Sequence, residues 1–132
     1  MTQGNSEAAV VSGAGARPLV LCVEDELVIA MMVQDFLDEL GYDVVIAQTA
    51  DEGCRFAAES RLSAGILDVH LGRETSFPVA RALQQRCVPF LFTSGAHTLD
   101  PEFKDIVCVA KPYSLDVLEA RFNDLFKPTL AA

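Results

Sequence analysis

The sequence predicts an α/β fold: a doubly wound, five-stranded parallel sheet, order 2-1-3-4-5, with a short or missing fourth helix. Three observations predict it. Apolar runs of strand length alternate with segments of helical period. The runs are continuously apolar, as in strands buried on both faces. Between Ser94 and Ile106 there is room for little more than one turn, around Asp100 to Phe103. Crossovers between parallel strands are expected to be right-handed.

Residues 1–17 are rich in Gly, Ser and Ala, lack periodicity and are read as a flexible extension. A domain is expected over 18–127, with Pro128 and the tail 128–132 frayed. Pro18 precedes the first strand, Leu19-Val20-Leu21-Cys22-Val23, which Glu24-Asp25-Glu26 ends abruptly. Ile29, Met32, Val33, Phe36, Leu37 and Leu40 then recur at i, i+3, i+4 spacing, and Gly41 is a natural helix stop. Residues 42–47 form the second strand. Thr49 with Glu52 is a capping box opening a second helix to about Ser60. The third strand is Ala64-Gly65-Ile66-Leu67-Asp68-Val69, followed by a polar loop over 70–76. Thr75 or Ser76 caps a third helix with Pro78 in its first turn, running to about Arg86. Residues 89–94 and 106–110 are the last two strands. Ser114 caps a final helix with Leu115, Leu118, Phe122 and Leu125 on one face.

The chain has 132 residues, enough for one domain, and half of them are apolar. Its formal charge of −9 argues against nonspecific nucleic-acid or anionic-membrane binding, which need basic patches. No stretch is long enough to span a bilayer, and the N-terminus lacks a signal-peptide pattern, so a cytoplasmic location is expected. The spacing of Cys22, Cys54, Cys87 and Cys108 matches no zinc motif; Cys22, Cys87 and Cys108 lie in or beside apolar runs and are read as buried, reduced thiols. Met31 and Met32 are read as part of a core helix.

An isolated carboxylate is costly in an apolar strand unless the strand ends in a polar crevice. In the predicted topology ligands bind at the carboxyl ends of the strands, at the switch point. Glu24 and Asp25 follow strand one there, Asp68 ends strand three, Ser94 strand four and Lys111 strand five. Clustered carboxylates repel unless a cation intervenes, and such oxygen ligands suit Mg²⁺. A carboxylate can attack a phosphoryl group, a cation with Lys111 can neutralise its charge, and the Ser94 hydroxyl can donate to a phosphoryl oxygen. Plainer readings stand beside these. Asp68 could cap nearby amides, Glu24 and Asp25 could favour the start of a helix, Lys111 could be a surface lysine, and Ser94 could be a turn residue beside Gly95. His70 and His97 are read as exposed loop side chains.

Val23-Glu24-Asp25-Glu26, Ile66-Leu67-Asp68-Val69, Phe92-Thr93-Ser94-Gly95 and Ala110-Lys111-Pro112-Tyr113, in this order on these strand ends, resemble the receiver domain of two-component response regulators, over about residues 17–126. The resemblance implies a flavodoxin-like fold with Asp68 as phosphoacceptor. It implies Asp25 as direct metal ligand, Glu24 acting at least partly through water, and the main-chain carbonyl of His70 completing the protein's contacts to Mg²⁺. It further implies Ser94 at the switch-hydroxyl position, Lys111 as the family's lysine and a cis bond to Pro112. Pro89-Phe90-Leu91-Phe92-Thr93-Ser94-Gly95 is similar to the FATGUY subgroup, whose members carry Pro-Phe-x-Phe-Ala-Thr-Gly and a reduced fourth helix. Where the wider family has an aromatic switch residue, three before the lysine, this chain has Cys108.

The expected function is that of a single-domain receiver. It takes a phosphoryl group from a histidine kinase or a histidine phosphotransfer protein, and assists only its own phosphorylation and dephosphorylation. The signal leaves by contact with a downstream protein or ends as a phosphate sink. Two competitors are a phosphorylation-independent interaction module on the same scaffold and an aspartyl-nucleophile phosphatase. The latter enzymes carry a second Asp two residues after the nucleophile, where this chain has His70.

Overall fold

A computed structural model describes residues 17–95 and 100–131, with side chains through Phe126. Residues 1–16, which hold most of the expected extension, and His97 lie outside the described residues. The main sheet contains β1 (Leu19–Val23), β2 (Asp43–Ala47), β3 (Ala64–Asp68), β6 (Phe90–Ser94) and β7 (Cys108–Ala110). Its order is β2-β1-β3-β6-β7, all parallel. Counting only these strands, this is 2-1-3-4-5. Helices α1 (Leu27–Glu39) and α4 (Leu115–Ala131) cover one face; α2 (Ala50–Glu59) and α3 (Phe77–Gln85) cover the other. Helical backbone in α4 continues through Pro128 to Ala131.

Alternation along the strands builds the two half-cores. Val20, Cys22, Ala64, Ile66, Leu91 and Val109 face α1 and α4, where Leu118, Phe122 and Phe126 are fully buried. Leu21, Val23, Leu67, Phe90 and Phe92 face α2 and α3. The segment after Ser94 contributes a 3₁₀ turn, Pro101–Phe103, in place of a full helix on that face. Phe103 is fully buried, with ring centroids 4.9 Å from Phe77 and 5.4 Å from Phe92. Arg81 of α3 clasps the turn, with Nε and Nη2 each 2.9 Å from the Glu102 carboxylate.

Local rules account for most element ends. Gly41, at φ +101°, closes α1 in a Schellman motif: its N–H donates to Asp38 O and that of Tyr42 to Leu37 O. Arg17 donates to the Asp38 and Tyr42 carbonyls and pairs with the Asp38 and Asp43 carboxylates, tying the start of the domain to that helix end. The capping box of α2 forms with one change: Glu52 N–H donates to Thr49 Oγ1, but the Glu52 carboxylate accepts from Gln48 N–H. At α3 it is Thr75 Oγ1 that accepts the Phe77 N–H; Ser76 Oγ, fully buried, has no hydrogen-bond partner among the described residues.

Four expectations are corrected. The stretch 70–76 is not a simple polar loop. It holds an antiparallel hairpin, β4 (His70–Leu71) with β5 (Glu74–Thr75). Gly72 has φ +66° and Arg73 a negative φ, the pattern of a two-residue type II′ turn. The last strand is shorter than the apolar run 106–110, because Ile106 N–H still donates to Phe103 O as the chain leaves the 3₁₀ turn. Cys87 and Cys108 are exposed rather than buried. Cys87 occupies the left-handed position (φ 58°) of a second Schellman motif ending α3, which turns its side chain outward. Cys108 shares the sheet face of Phe92, but lies on the edge strand where the 3₁₀ turn leaves it uncovered. Met31 and Met32 are about half exposed, because the inward stripe of α1 is Ala30, Val33 and Leu37.

Candidate functional site

The carboxyl ends of β1, β3, β6 and β7 form the crevice expected at the switch point. β1 pairs with β2 on one side and β3 on the other, so Val23 lies beside Leu67 and the chain leaves both strands at the same edge. Glu24 follows directly, its N–H still donating to Ala47 O across the end of the sheet. Asp68 is the last residue of β3, flanked by Thr93 of β6. Lys111 follows β7, and its N–H donates to Ser94 O at 2.9 Å. Register alone therefore gathers groups separated by up to 87 residues in sequence. The peptide bond Lys111–Pro112 is cis.

Carboxylate oxygens of Glu24, Asp25 and Asp68 lie within 4.8 Å of one another. Glu24 (3 % exposed) and Asp68 (7 %) are buried, while Asp25 sits nearer solvent. Lys111 Nζ bridges the two buried acids, 2.9 Å from Asp68 Oδ2 and 3.3 Å from Glu24 Oε1. The other oxygen of Glu24 accepts the Glu26 N–H at 3.1 Å, which orients the carboxylate as the chain enters α1.

The electrostatics follow from burial. Desolvation pushes the Glu24 carboxyl up to about 7; the Glu26 N–H and Lys111 oppose this, and the charge of Asp68 adds to it. Burial pulls on Lys111 in the downward direction, but its hydrogen bond to Asp68 and the charges of both acids outweigh that, and its pKa is raised. With all three carboxylates ionised, the single ammonium leaves the cluster two net negative charges. An all-oxygen donor set of that charge fits a hard divalent cation such as Mg²⁺ or Ca²⁺.

His70 lies just beyond, with an exposed side chain. Ser76 N–H donates to Val69 O, which makes His70 and Thr75 a non-hydrogen-bonded pair of the hairpin. The His70 carbonyl therefore points away from the ladder and is not consumed by it. Ser94 is 2 % exposed at the end of β6. Thus Glu24, Asp25, Asp68 and Lys111 converge as expected, with Ser94 and His70 on the flanking segments. Sequence reasoning missed the hairpin carrying His70; Gly72-Arg73, a Gly-x pair of the kind that makes a II′ turn, was its one signal.

The site is thus a cluster of three carboxylates with a lysine at the switch point of a doubly wound sheet. No protein-family model matches the chain. It is 27 % identical over 114 residues to response regulator RR06 of Streptococcus pneumoniae serotype 2, covering 82 % of this chain and 52 % of that protein. The chain thus spans about half the length of that relative. Among solved structures it is similar to SdrG of Sphingomonas melonis Fr1, with 37 % identity, 79 % of this chain and 92 % of that one covered, and a TM-score of 0.69. A CheY-like response regulator receiver domain from Methanospirillum hungatei shares its fold, with 21 % identity, a TM-score of 0.74, and 89 % and 100 % of the two chains covered. The chain belongs to the receiver domains of response regulators, the signal-accepting modules of two-component signalling. No helix among the described residues is long and apolar enough to cross a membrane.

Proposed function

We propose that this receiver accepts a phosphoryl group on Asp68 from the phosphohistidine of a histidine kinase or a histidine phosphotransfer protein. The observation that carries this reading is the Lys111 ammonium bridging buried Asp68 and Glu24 inside a cluster of three carboxylates. One Asp68 oxygen attacks phosphorus, the bond from phosphorus to the donor imidazole breaks, and the imidazole leaves with the bonding electron pair and takes up a proton. The product is an acyl phosphate on Asp68. Lys111, already beside Asp68 Oδ2, is within reach of a phosphoryl oxygen, and the Ser94 hydroxyl at the neighbouring strand end can donate to another. Asp25, Glu24, Asp68 and the His70 carbonyl would hold Mg²⁺, which supplies neutralising charge at the phosphoryl oxygens. The domain changes only its own phosphorylation state, by this reading.

Leu27, Val28, Met31 and Met32 form an exposed apolar face on the first turns of α1, which starts three residues after Glu24. A helical partner presenting its phosphohistidine to the crevice would cover it. The short 3₁₀ turn and the Pro89-to-Gly95 sequence support the FATGUY subgroup, with Ser94 keeping the hydroxyl.

The test is incubation with acetyl phosphate or beryllofluoride and Mg²⁺. Wild type should show shifts in its amide spectra and Asp68→Asn should not; identical responses sink the reading. One observation favours a phosphorylation-independent interaction module: Cys108 stands where the wider family has an aromatic relay, and it is exposed. Equal partner affinity with and without beryllofluoride would establish that alternative.

A further inference from the structure

The two segments that flank Asp68 and carry the proposed metal ligands, 24–26 and the β4–β5 hairpin, are both tied to the start of α2. Gln48, just before α2, donates from Nε2 to the Asp25 carbonyl at 3.1 Å, while its own N–H is held by Glu52 Oε1 at 2.8 Å. Ala50 N–H, the first of the unpaired donors at the helix start, donates to Glu74 Oε2 at 3.1 Å. Glu74 and Leu71 form the pair that closes the two-residue hairpin, next to the pair containing His70. A carboxylate at a helix N-terminus gains both a charge-assisted hydrogen bond and the favourable end of the dipole. Glu74 therefore fixes the hairpin to α2, and Gln48 fixes the Asp25 loop to the same turn.

We propose that Gln48 and Glu74 are positioning residues for the metal site, using the first turn of α2 as a common brace for the Asp25 loop and the His70 carbonyl. This rests on the metal-dependent reading above. Neither side chain belongs to the acidic cluster itself. Their effect is to order the ligand-bearing backbone before the cation arrives, so that binding does not have to supply the ordering entropy.

The experiment is a calorimetric Mg²⁺ titration of the intact chain as wild type, Glu74→Ala, Glu74→Gln and Gln48→Ala, with amide hydrogen exchange of the metal-free proteins. Glu74→Ala and Gln48→Ala should each weaken Mg²⁺ binding about ten-fold, the low end for groups that orient ligands. Glu74→Gln keeps the acceptor oxygen and should recover most of the affinity. In metal-free Glu74→Ala the Ala50 amide should lose its protection while amides of β1 and β3 keep theirs, which separates a lost latch from a lost fold. The rate of Asp68 phosphorylation at saturating Mg²⁺ should fall less than the affinity does. Variants that bind Mg²⁺ within two-fold of wild type, or an Ala50 amide still protected in Glu74→Ala, overturn the inference alone, provided wild type binds Mg²⁺ and phosphorylates at Asp68. Wild type that does neither overturns the proposed function, and this inference with it.

Discussion

Lys111 Nζ lies 2.9 Å from Asp68 Oδ2, so the ammonium that follows β7 is paired with the carboxylate that ends β3. The same ammonium is 3.3 Å from Glu24 Oε1. Removing it leaves two buried acids side by side with no counter-charge between them. Lys111→Met should lower stability at pH 8 by about 1–3 kcal/mol, less than a fully buried pair because Lys111 is partly exposed. It should also bind Mg²⁺ at least as tightly as wild type, since the site becomes more negative, yet accept phosphate from acetyl phosphate more slowly. Urea unfolding, Mg²⁺ titration and phosphorylation rates on one variant check all three directions.

Glu24 sets a pH dependence. Its folded-state pKa is raised to about 7 from an ordinary 4.5. Between those values the native state holds more protons than the unfolded chain, so stability falls as pH rises from about 4.5 to about 7. Urea midpoints without divalent cation should drop across that window, by roughly 1–3 kcal/mol in unfolding free energy. The slope should flatten in Glu24→Gln. Mg²⁺ added at pH 7.5 should raise the midpoint in wild type, and at pH 6 its binding should release protons, measurable as a buffer-dependent heat.

Cys87 occupies a position that favours glycine. Its φ of 58° places a non-glycine residue in the left-handed region, where Val88 N–H and Cys87 N–H close the end of α3. Cys87→Gly should stabilise the domain by about 0.5–1 kcal/mol, the relief of strain exceeding the added freedom of the unfolded chain. Cys87→Val should destabilise it. Thermal and urea unfolding of the two variants decide the sign.

The 3₁₀ turn is held mainly by its buried ring. Phe103→Ala should cost about 3–5 kcal/mol, because a fully buried phenyl packed on Phe77 and Phe92 is replaced by a cavity. Breaking the exposed Arg81–Glu102 clasp should cost far less, and that loss should vanish in high salt. Equal effects of Phe103→Ala and Glu102→Ala on the urea midpoint would contradict this division.

Much of the site could be read from the chain because its chemistry is placed by strand ends. Asp68, Ser94 and Lys111 each close or follow a continuous apolar run, and Glu24 and Asp25 follow another. Once the runs are parallel neighbours, those residues must share an edge. The shortened segment after Ser94 was equally plain, as the distance to the next apolar run leaves no space for a full helix. The hairpin at 70–75 was not plain. Its strands are two residues each, too short for a period of two to show, and its II′ turn rests on one glycine. Sequence neighbours also misled about exposure. Cys87 and Cys108 sit beside apolar runs, yet one falls in a left-handed cap and the other on an uncovered edge.

The sequence by itself therefore determined the order of the five main strands and the helices between them, the doubly wound sheet and the residues that meet at its switch point, because periodicity and chain connectivity act locally and leave few topologies open. Only the tertiary structure decided that Lys111 bridges both buried acids, that Gln48 and Glu74 join the Asp25 loop and the hairpin to the start of α2, and that Met31 and Met32 face outward. Each of these depends on side-chain direction and on contact between segments distant in the chain, which packing sets and local spacing does not encode.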